Sequence, residues 1–106
     1  MINDLIAFQK LYDLILYINP IINKFPKEQR FVLGQNIENK LIYILSLIIK
    51  INSKHGPRKE YYKTVSIEFD ILFVYIRLAH DLNFISTKQY AQISEKTNEV
   101  IKICCN

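Results

Sequence analysis

The sequence predicts an all-α chain folded as an up-down-up-down antiparallel four-helix bundle, and three observations lead there. Only 2 glycines and 3 prolines occur among 106 residues of which 50% are apolar, so backbone breaks are too few for a turn-rich β architecture. Four segments each carry apolar residues at alternating three- and four-residue steps, the repeat of one helical face. The polar stretches between them are short, which forces consecutive helices antiparallel. The length suits one domain over residues 1–106, built on a single core.

In the first segment Phe8, Leu11, Ile15, Ile18, Ile22 and Phe25 fall on one face. Pro20 lies inside it, removes a backbone donor and crowds the carbonyl of Leu16, so a kinked first helix is expected near residues 16 to 20, resuming afterwards. The second helix starts at Pro26, a residue suited to a first turn, with Glu28 near the positive end of the helix dipole. Its stripe is Ile37, Leu41, Ile44, Ile48 and Ile51, and Gly56 with Pro57 ends it.

The second helix also carries Ile42, Leu45 and Ile49, and then Tyr43 and Leu47, which leaves little polar circumference. One bundle core cannot cover all of that surface, so a homo-oligomer is expected. The third segment aligns Tyr62, Val65, Phe69, Leu72, Ile76 and Ala79, flanked by Ile71, Tyr75, Leu78 and Leu82. The fourth opens with a capping box, Ser86 as N-cap and Gln89 three residues on, with Ile85 and Tyr90 placed as a hydrophobic staple. Its stripe is Tyr90, Ile93, Thr97, Val100 and Cys104.

Charge is distributed unevenly. The chain carries 14 basic and 10 acidic side chains, a net +4, and KINSKHGPRKEYYK at residues 50–63 supplies all of that excess. Lys50 and Lys54 occupy the last turn of the second helix, and Lys59 and Lys63 stand one turn apart on the third, with Arg58 at the tip between them. The Gly-Pro turn brings both helix ends to one pole, where the cations form a candidate phosphate-binding patch and Tyr61 is available to stack on a base. The alternative is a solvated turn whose lysines merely favour a helix C-terminus.

Catalytic and metal chemistry find little support. His80 has Arg77, Asp81 and Ser86 nearby, but Arg77 and Asp81 form an i,i+4 pair and Ser86 is a cap, which leaves no hydrolytic triad. LAHDLNF superficially resembles the motif of histidine phosphotransfer bundles, yet Asn83 and Phe84 replace the lysine and glycine that family prefers. Two histidines and the adjacent Cys104 and Cys105 offer no zinc-ligand spacing, and neither Glu-x-x-His pairs nor a Gly-rich phosphate loop occurs, so no metal or cofactor is expected. Asp70 and Glu68 are expected near the core face of the third helix. Nothing in the pattern assigns a task to His55 or His80.

The two terminal cysteines fit a reducing compartment. Asn3 and Asp4 replace the basic start of a secretory leader, and the longest mostly apolar run, Leu41 to Ile49, is too short to span a bilayer. A cytoplasmic location without membrane contact is expected.

KLYDLILYINPIINKFPKEQRFVLGQNI, residues 10–37, and IRLAHDLNFISTKQYAQISE, residues 76–95, resemble the four-helix-bundle family of rRNA intervening-sequence proteins and retroelement accessory proteins. The FPK-E-R start of helix two and the RLAHDL-F-S-Q-Y junction are most similar to the accessory variability determinant of diversity-generating retroelements. The resemblance covers nearly the whole chain. It implies a non-enzymatic homopentamer that binds a reverse transcriptase and nucleic acid, RNA or DNA, during mutagenic cDNA synthesis. By position, Arg30 and Arg77 match the family's recurrent basic residues, and the resemblance implies that they contact a partner or RNA. Each is equally placed for a local bond, Arg77 with Asp81 and Arg30 with polar groups nearby. The chain departs from the retroelement branch in being less basic. The alternative within the resemblance is a structural interaction bundle of the intervening-sequence type, with histidine phosphotransfer as a third reading.

Overall fold

The structure, a computed structural model, describes residues 2–53 and 56–105. Helix α1 spans Ile2–Asn23. Helix α2 is built of three consecutive pieces, an α-helical turn at Lys27–Gln29, a π-helical turn at Arg30–Gly34 and an α-helix at Gln35–Ser53. Helix α3 spans Arg58–Asp81 and α4 spans Thr87–Cys105. Lys54 and His55 lie outside the described residues, and the described residues contain no strand.

Each helix packs on two neighbours, α1 on α2, α2 on α3, α3 on α4 and α4 back on α1, around one core. Between α1 and α4 the paired residues run in opposite chain order. Lys10 reaches Glu99 at 3.2 Å while Tyr17 donates to Gln92, which joins α1 to α4 at two levels. Lys40 and Glu68 meet at 3.1 Å between α2 and α3, and both are mostly buried.

The expected core stripes are largely the buried ones. In α2 Ile37, Leu41, Ile44, Ile48 and Ile51 are all buried, as are Val65, Phe69, Leu72, Ile76 and Ala79 in α3. Helix α1 differs, because its buried line runs through Ala7, Leu11, Leu14, Ile18 and Ile22. Phe8 and Ile15 move to the flank, where Phe8 stacks on Tyr12. A helix packed against two neighbours buries a face whose centre lies between their directions, which a single stripe does not capture. Glu68 lies near the core face as expected and meets Lys40 there, whereas Asp70 is exposed. In α4 the buried Thr97 hydroxyl donates back to the Ile93 carbonyl at 2.6 Å, so the one polar side chain in its stripe is satisfied within the helix.

Turn chemistry fixes the connections. The helix continues past Pro20 for three residues, and the turn after Asn23 closes by Lys24 and Phe25 amides donating to the carbonyls of Ile21 and Ile22. Ahead of α4, the Ser86 hydroxyl accepts from the Gln89 amide at 3.0 Å and Gln89 Oε1 accepts from the Ser86 amide at 2.9 Å, the reciprocal capping box. Helix α3 ends in a Schellman motif that the sequence pattern did not signal. Asn83 adopts φ 66°, its amide donates to the His80 carbonyl, and the Phe84 amide reaches back to Ala79 at 2.8 Å. Phe84 is thereby delivered against Phe25, ring centroids 5.5 Å apart, joining the α3–α4 turn to the α1–α2 turn.

The π-helical turn was also absent from the sequence reading. Gly34 explains its position: a Cβ there would stand 2.8 Å from Cγ2 of Ile22 and 3.5 Å from the Phe25 ring. The wide turn absorbs one residue so that Leu33 and Gly34 are buried under the end of α1 while Ile37 onward keeps the core register.

Surface apolarity follows the expectation for α2 in part. Ile42, Tyr43 and Ile49 are exposed at 57%, 43% and 50%, but Leu47 belongs to the core. Helix α1 adds exposed Leu5, Tyr12 and Leu16, and α3 adds Ile67, Val74 and Leu78. The outward residues of α4 are almost all polar, among them Lys88, Gln92, Glu95, Lys96, Glu99 and Lys102. Helix α1 is also, over Leu5–Asn23, long and apolar enough by composition to cross a membrane, contrary to the expectation that no run qualifies. Its Leu11, Ile18 and Ile22 sit in the shared core, as in a bundle helix that meets the same criterion.

Gly34→Ala is expected to lower stability by about 1–3 kcal/mol, because the added methyl overpacks Ile22. Ser86→Ala is expected to cost about 1 kcal/mol through the lost cap. Urea denaturation reads both, and an unchanged midpoint for Gly34→Ala would show that Ile22 rotates away freely.

Candidate functional site

The basic stretch is organised by the turn between α2 and α3. Gly56 takes φ 78°, a conformation that side-chain-bearing residues rarely adopt, and Pro57 caps α3. This reverses the chain so that the end of α2 meets the start of α3: Lys50 Nζ lies 5.9 Å from the centroid of the Tyr61 ring. Lys50, Lys59 and Lys63 are exposed, and the i,i+4 spacing puts the last two on one side of α3. Arg58 is half-buried and already engaged in an interaction of its own. Lys54, the remaining expected cation of this patch, falls outside the described residues together with His55.

Tyr61 departs from its expected role. It is half-buried, packed on the core, with Lys50 above the ring and Gly56 so close that a Cβ there would stand 2.9 Å from the Tyr61 hydroxyl. The ring orders the turn and steadies one lysine by a cation–π contact, and it is not an open platform for a base.

Arg77 and Arg30 have different surroundings. Arg77 is 74% exposed on α3, with Nε 3.8 Å from Asp81, so the expected i,i+4 pair forms in a solvated geometry worth little energy. Arg30 stands in the π-helical turn, half-buried, and its Nε is shut away from solvent with no hydrogen-bond partner. Among the described residues, Nε therefore lacks the local partner that its surroundings suggested.

His80 has a structural place. Its Nδ1 lies 3.3 Å from Asp81 Oδ1 and its Nε2 3.2 Å from Thr87 Oγ1, and its ring stacks on Tyr90 with centroids 4.7 Å apart. Both ring nitrogens are occupied by neighbours on either side of the α3–α4 turn, and Ser86 is held in the capping box. The arrangement clamps the turn and assembles no nucleophile–base pair. Among the described residues no cluster of three His, Cys, Asp or Glu side chains is placed to hold a metal ion.

Comparison with known proteins bears on these surfaces at one point. The family model described as bAvd-like matches residues 5–105. The chain belongs to the bAvd-like family. This membership is consistent with the accessory variability determinants of diversity-generating retroelements, accessory proteins rather than known enzymes. No curated protein and no solved structure matches the chain. Membership implies association with retroelement components.

Gly56→Ala forces a left-handed residue to carry a side chain and pushes that side chain against Tyr61, so it is expected to cost about 1–2 kcal/mol. A thermal melt checks the stability, and faster amide hydrogen exchange at the end of α2 and start of α3 is the accompanying sign that the pole has lost its shape.

Proposed function

We propose that this chain is an accessory protein of a diversity-generating retroelement: an up-down-up-down antiparallel bundle that assembles into a homo-oligomeric ring, pentameric by family resemblance, and acts in the cytoplasm as a non-enzymatic adaptor between a reverse transcriptase and its RNA or cDNA. The observation that carries this reading is the bAvd-like match along residues 5–105, which implies association with retroelement components. The opposite chain order of the Lys10–Glu99 and Tyr17–Gln92 contacts supports the antiparallel arrangement.

Two physical features make the adaptor reading workable. The chain's whole excess charge sits in residues 50–63, and Lys50, Lys59 and Lys63 present it on an exposed pole suited to a phosphate backbone. A net +4 is a weak field for one copy, whereas a ring multiplies it along a polymer. The exposed Ile42 and Ile49 on α2 and Leu16 on α1 supply apolar surface of the kind that subunit contacts cover. Arg77 is open enough to reach a partner at the cost of one weak pair.

Binding to a labelled structured RNA across a salt series tests the pole. Changing Lys54, Arg58, Lys59 and Lys63 to Gln is expected to weaken binding and to flatten the slope of log affinity against log salt by about 0.7 for each lost phosphate contact. Equal slopes, or no binding by either protein, would turn the pole into a solvated turn and favour a purely structural bundle. Light scattering across micromolar concentrations tests the assembly, with a multimeric mass expected for the wild type and a smaller one for a variant carrying Ile42→Ser and Ile49→Ser.

A further inference from the structure

We propose that the polymer held at the lysine-bearing pole is a single-stranded nucleic acid, and that Tyr43 on α2 is the platform on which one of its bases stacks. The inference rests on the reading of that pole as a phosphate-binding surface, and adds to it the form of the polymer and the side chain that meets a base.

Tyr43 stands apart from the other tyrosines. Tyr12, Tyr17, Tyr61 and Tyr90 are each engaged by a ring, a cation or a hydrogen bond, and Tyr62 and Tyr75 are half-buried against the core. Tyr43 is 43% exposed, and among the described residues neither its ring nor its hydroxyl has an aromatic, cationic or hydrogen-bonding partner. A base that stacks on such a ring displaces water and breaks no contact within the protein. Phe31 is more open, but it stands at the other end of α2 from the lysines.

The place of Tyr43 on α2 ties it to the pole. At about 100° and 1.5 Å per residue, it lies within about 20° of Lys50 around the helix axis and about 10 Å from it along the axis. It is turned about 100° away from Ile42, the side chain assigned to the subunit contact. Lys40 shares the flank of Tyr43 and meets Glu68 of α3, so this is the α2–α3 side of the bundle. A strand whose phosphates sit at the exposed Lys50, Lys59 and Lys63 reaches Tyr43 by continuing along α2. The acids on this side have occupations of their own: Glu68 holds Lys40, and Glu60 complements the positive start of α3.

The form of the polymer follows from the ring. Inside a duplex each base is already stacked on its neighbours and shows only an edge in a groove, so a tyrosine on a convex helix surface meets phosphates and no base face. An unpaired strand offers base faces, and an aromatic ring accepts any of them without regard to sequence. Lysines for the backbone beside one ring for a base are the two parts that a single-strand site combines.

Fluorescence anisotropy across a salt series measures binding of three labelled polymers of equal length: an unstructured RNA strand, an RNA duplex and an abasic strand. The proteins are the wild type, Tyr43→Ala, Tyr43→Phe, and Lys59→Gln with Lys63→Gln. The wild type should bind the single strand more tightly than the duplex. Tyr43→Ala should weaken single-strand binding about tenfold or more while leaving the slope of log affinity against log salt unchanged, because no phosphate contact is lost. Tyr43→Phe should bind as the wild type does, and neither the duplex nor the abasic strand should distinguish Tyr43→Ala from the wild type. The lysine variant should weaken all three polymers and flatten the slope. Light scattering of Tyr43→Ala should give the wild-type mass. Equal single-strand affinity for Tyr43→Ala and the wild type, with binding still lost in the lysine variant, would overturn the platform and leave the pole intact. No binding of any polymer by the wild type would overturn both readings. A duplex bound as tightly as the single strand would overturn the unpaired form, and a smaller mass for Tyr43→Ala would assign the ring to a contact between copies of the chain.

Discussion

The packing of Gly34 beneath Ile22 and Phe25 is the constraint from which the rest of this structure follows. A Cβ at that position has no room, so α2 can approach the end of α1 only because residue 34 has none. That approach sets where the first helix pair closes, and Phe25 passes it on by packing against Phe84 from the α3–α4 turn. Two connections far apart in sequence thus share one aromatic contact, and the bundle has a firm end. The π-helical turn is the local consequence: the chain must fit Leu33 and Gly34 under α1 and still deliver Ile37, Leu41 and Ile44 to the core, and one wide turn reconciles the two demands.

That firm end also explains how the surface is divided. Helix α4 adds to its core packing a seam of polar contacts, Lys10 with Glu99 and Lys96 over the Tyr17 ring, and turns a polar face outward. Helices α1, α2 and α3 leave large apolar side chains uncovered. A monomeric bundle has no need of such asymmetry, because any of its helices could carry a polar outer face at no cost to the core. The apolar surface gathers on three helices and spares the fourth, the distribution expected when some sides are reserved for protein contact and one for solvent.

The helices and most of the core were legible because both rest on periodicity, which the sequence displays directly. The stripes of α2, α3 and α4 and the Ser86–Gln89 capping box carry over nearly unchanged, whereas α1 turns its buried line to Ala7, Leu11, Leu14, Ile18 and Ile22. The Asn83 terminus and the π-helical turn were not legible, because each depends on contacts between segments remote in sequence: Phe84 needs Phe25, and Gly34 needs Ile22. The candidate site divides along the same line. The lysines of residues 50–63 were visible as a charge run, and the reversal at Gly56 that sets Lys50 beside Tyr61 was expected from the Gly-Pro pair. The covering of Tyr61 was not, since burial of a ring depends on what the far helix end places over it. Arg30 was noticed by resemblance, but its lack of an acceptor is a property of the folded surroundings alone.

What the surface leaves unfinished can be set against what the interior satisfies. Inside this bundle several polar groups are paired with one another: Thr97 with the Ile93 carbonyl, Lys40 with Glu68, His80 with Asp81 and Thr87. Each pairing ties an element to itself or to its neighbour and leaves nothing over for a ligand. Arg30 does not follow that rule, and neither do the exposed lysines of the opposite pole, which gain nothing structurally from standing together. Like charges concentrated at one turn oppose folding slightly, and a buried donor without an acceptor opposes it more. On the adaptor reading, the first becomes favourable when an anionic polymer arrives at that pole. On the proposed reading, the lysines that cost stability in the isolated chain are those through which it meets an anionic polymer, and the core along α2 keeps that contact apart from the packing of Gly34 against Ile22 at the other end.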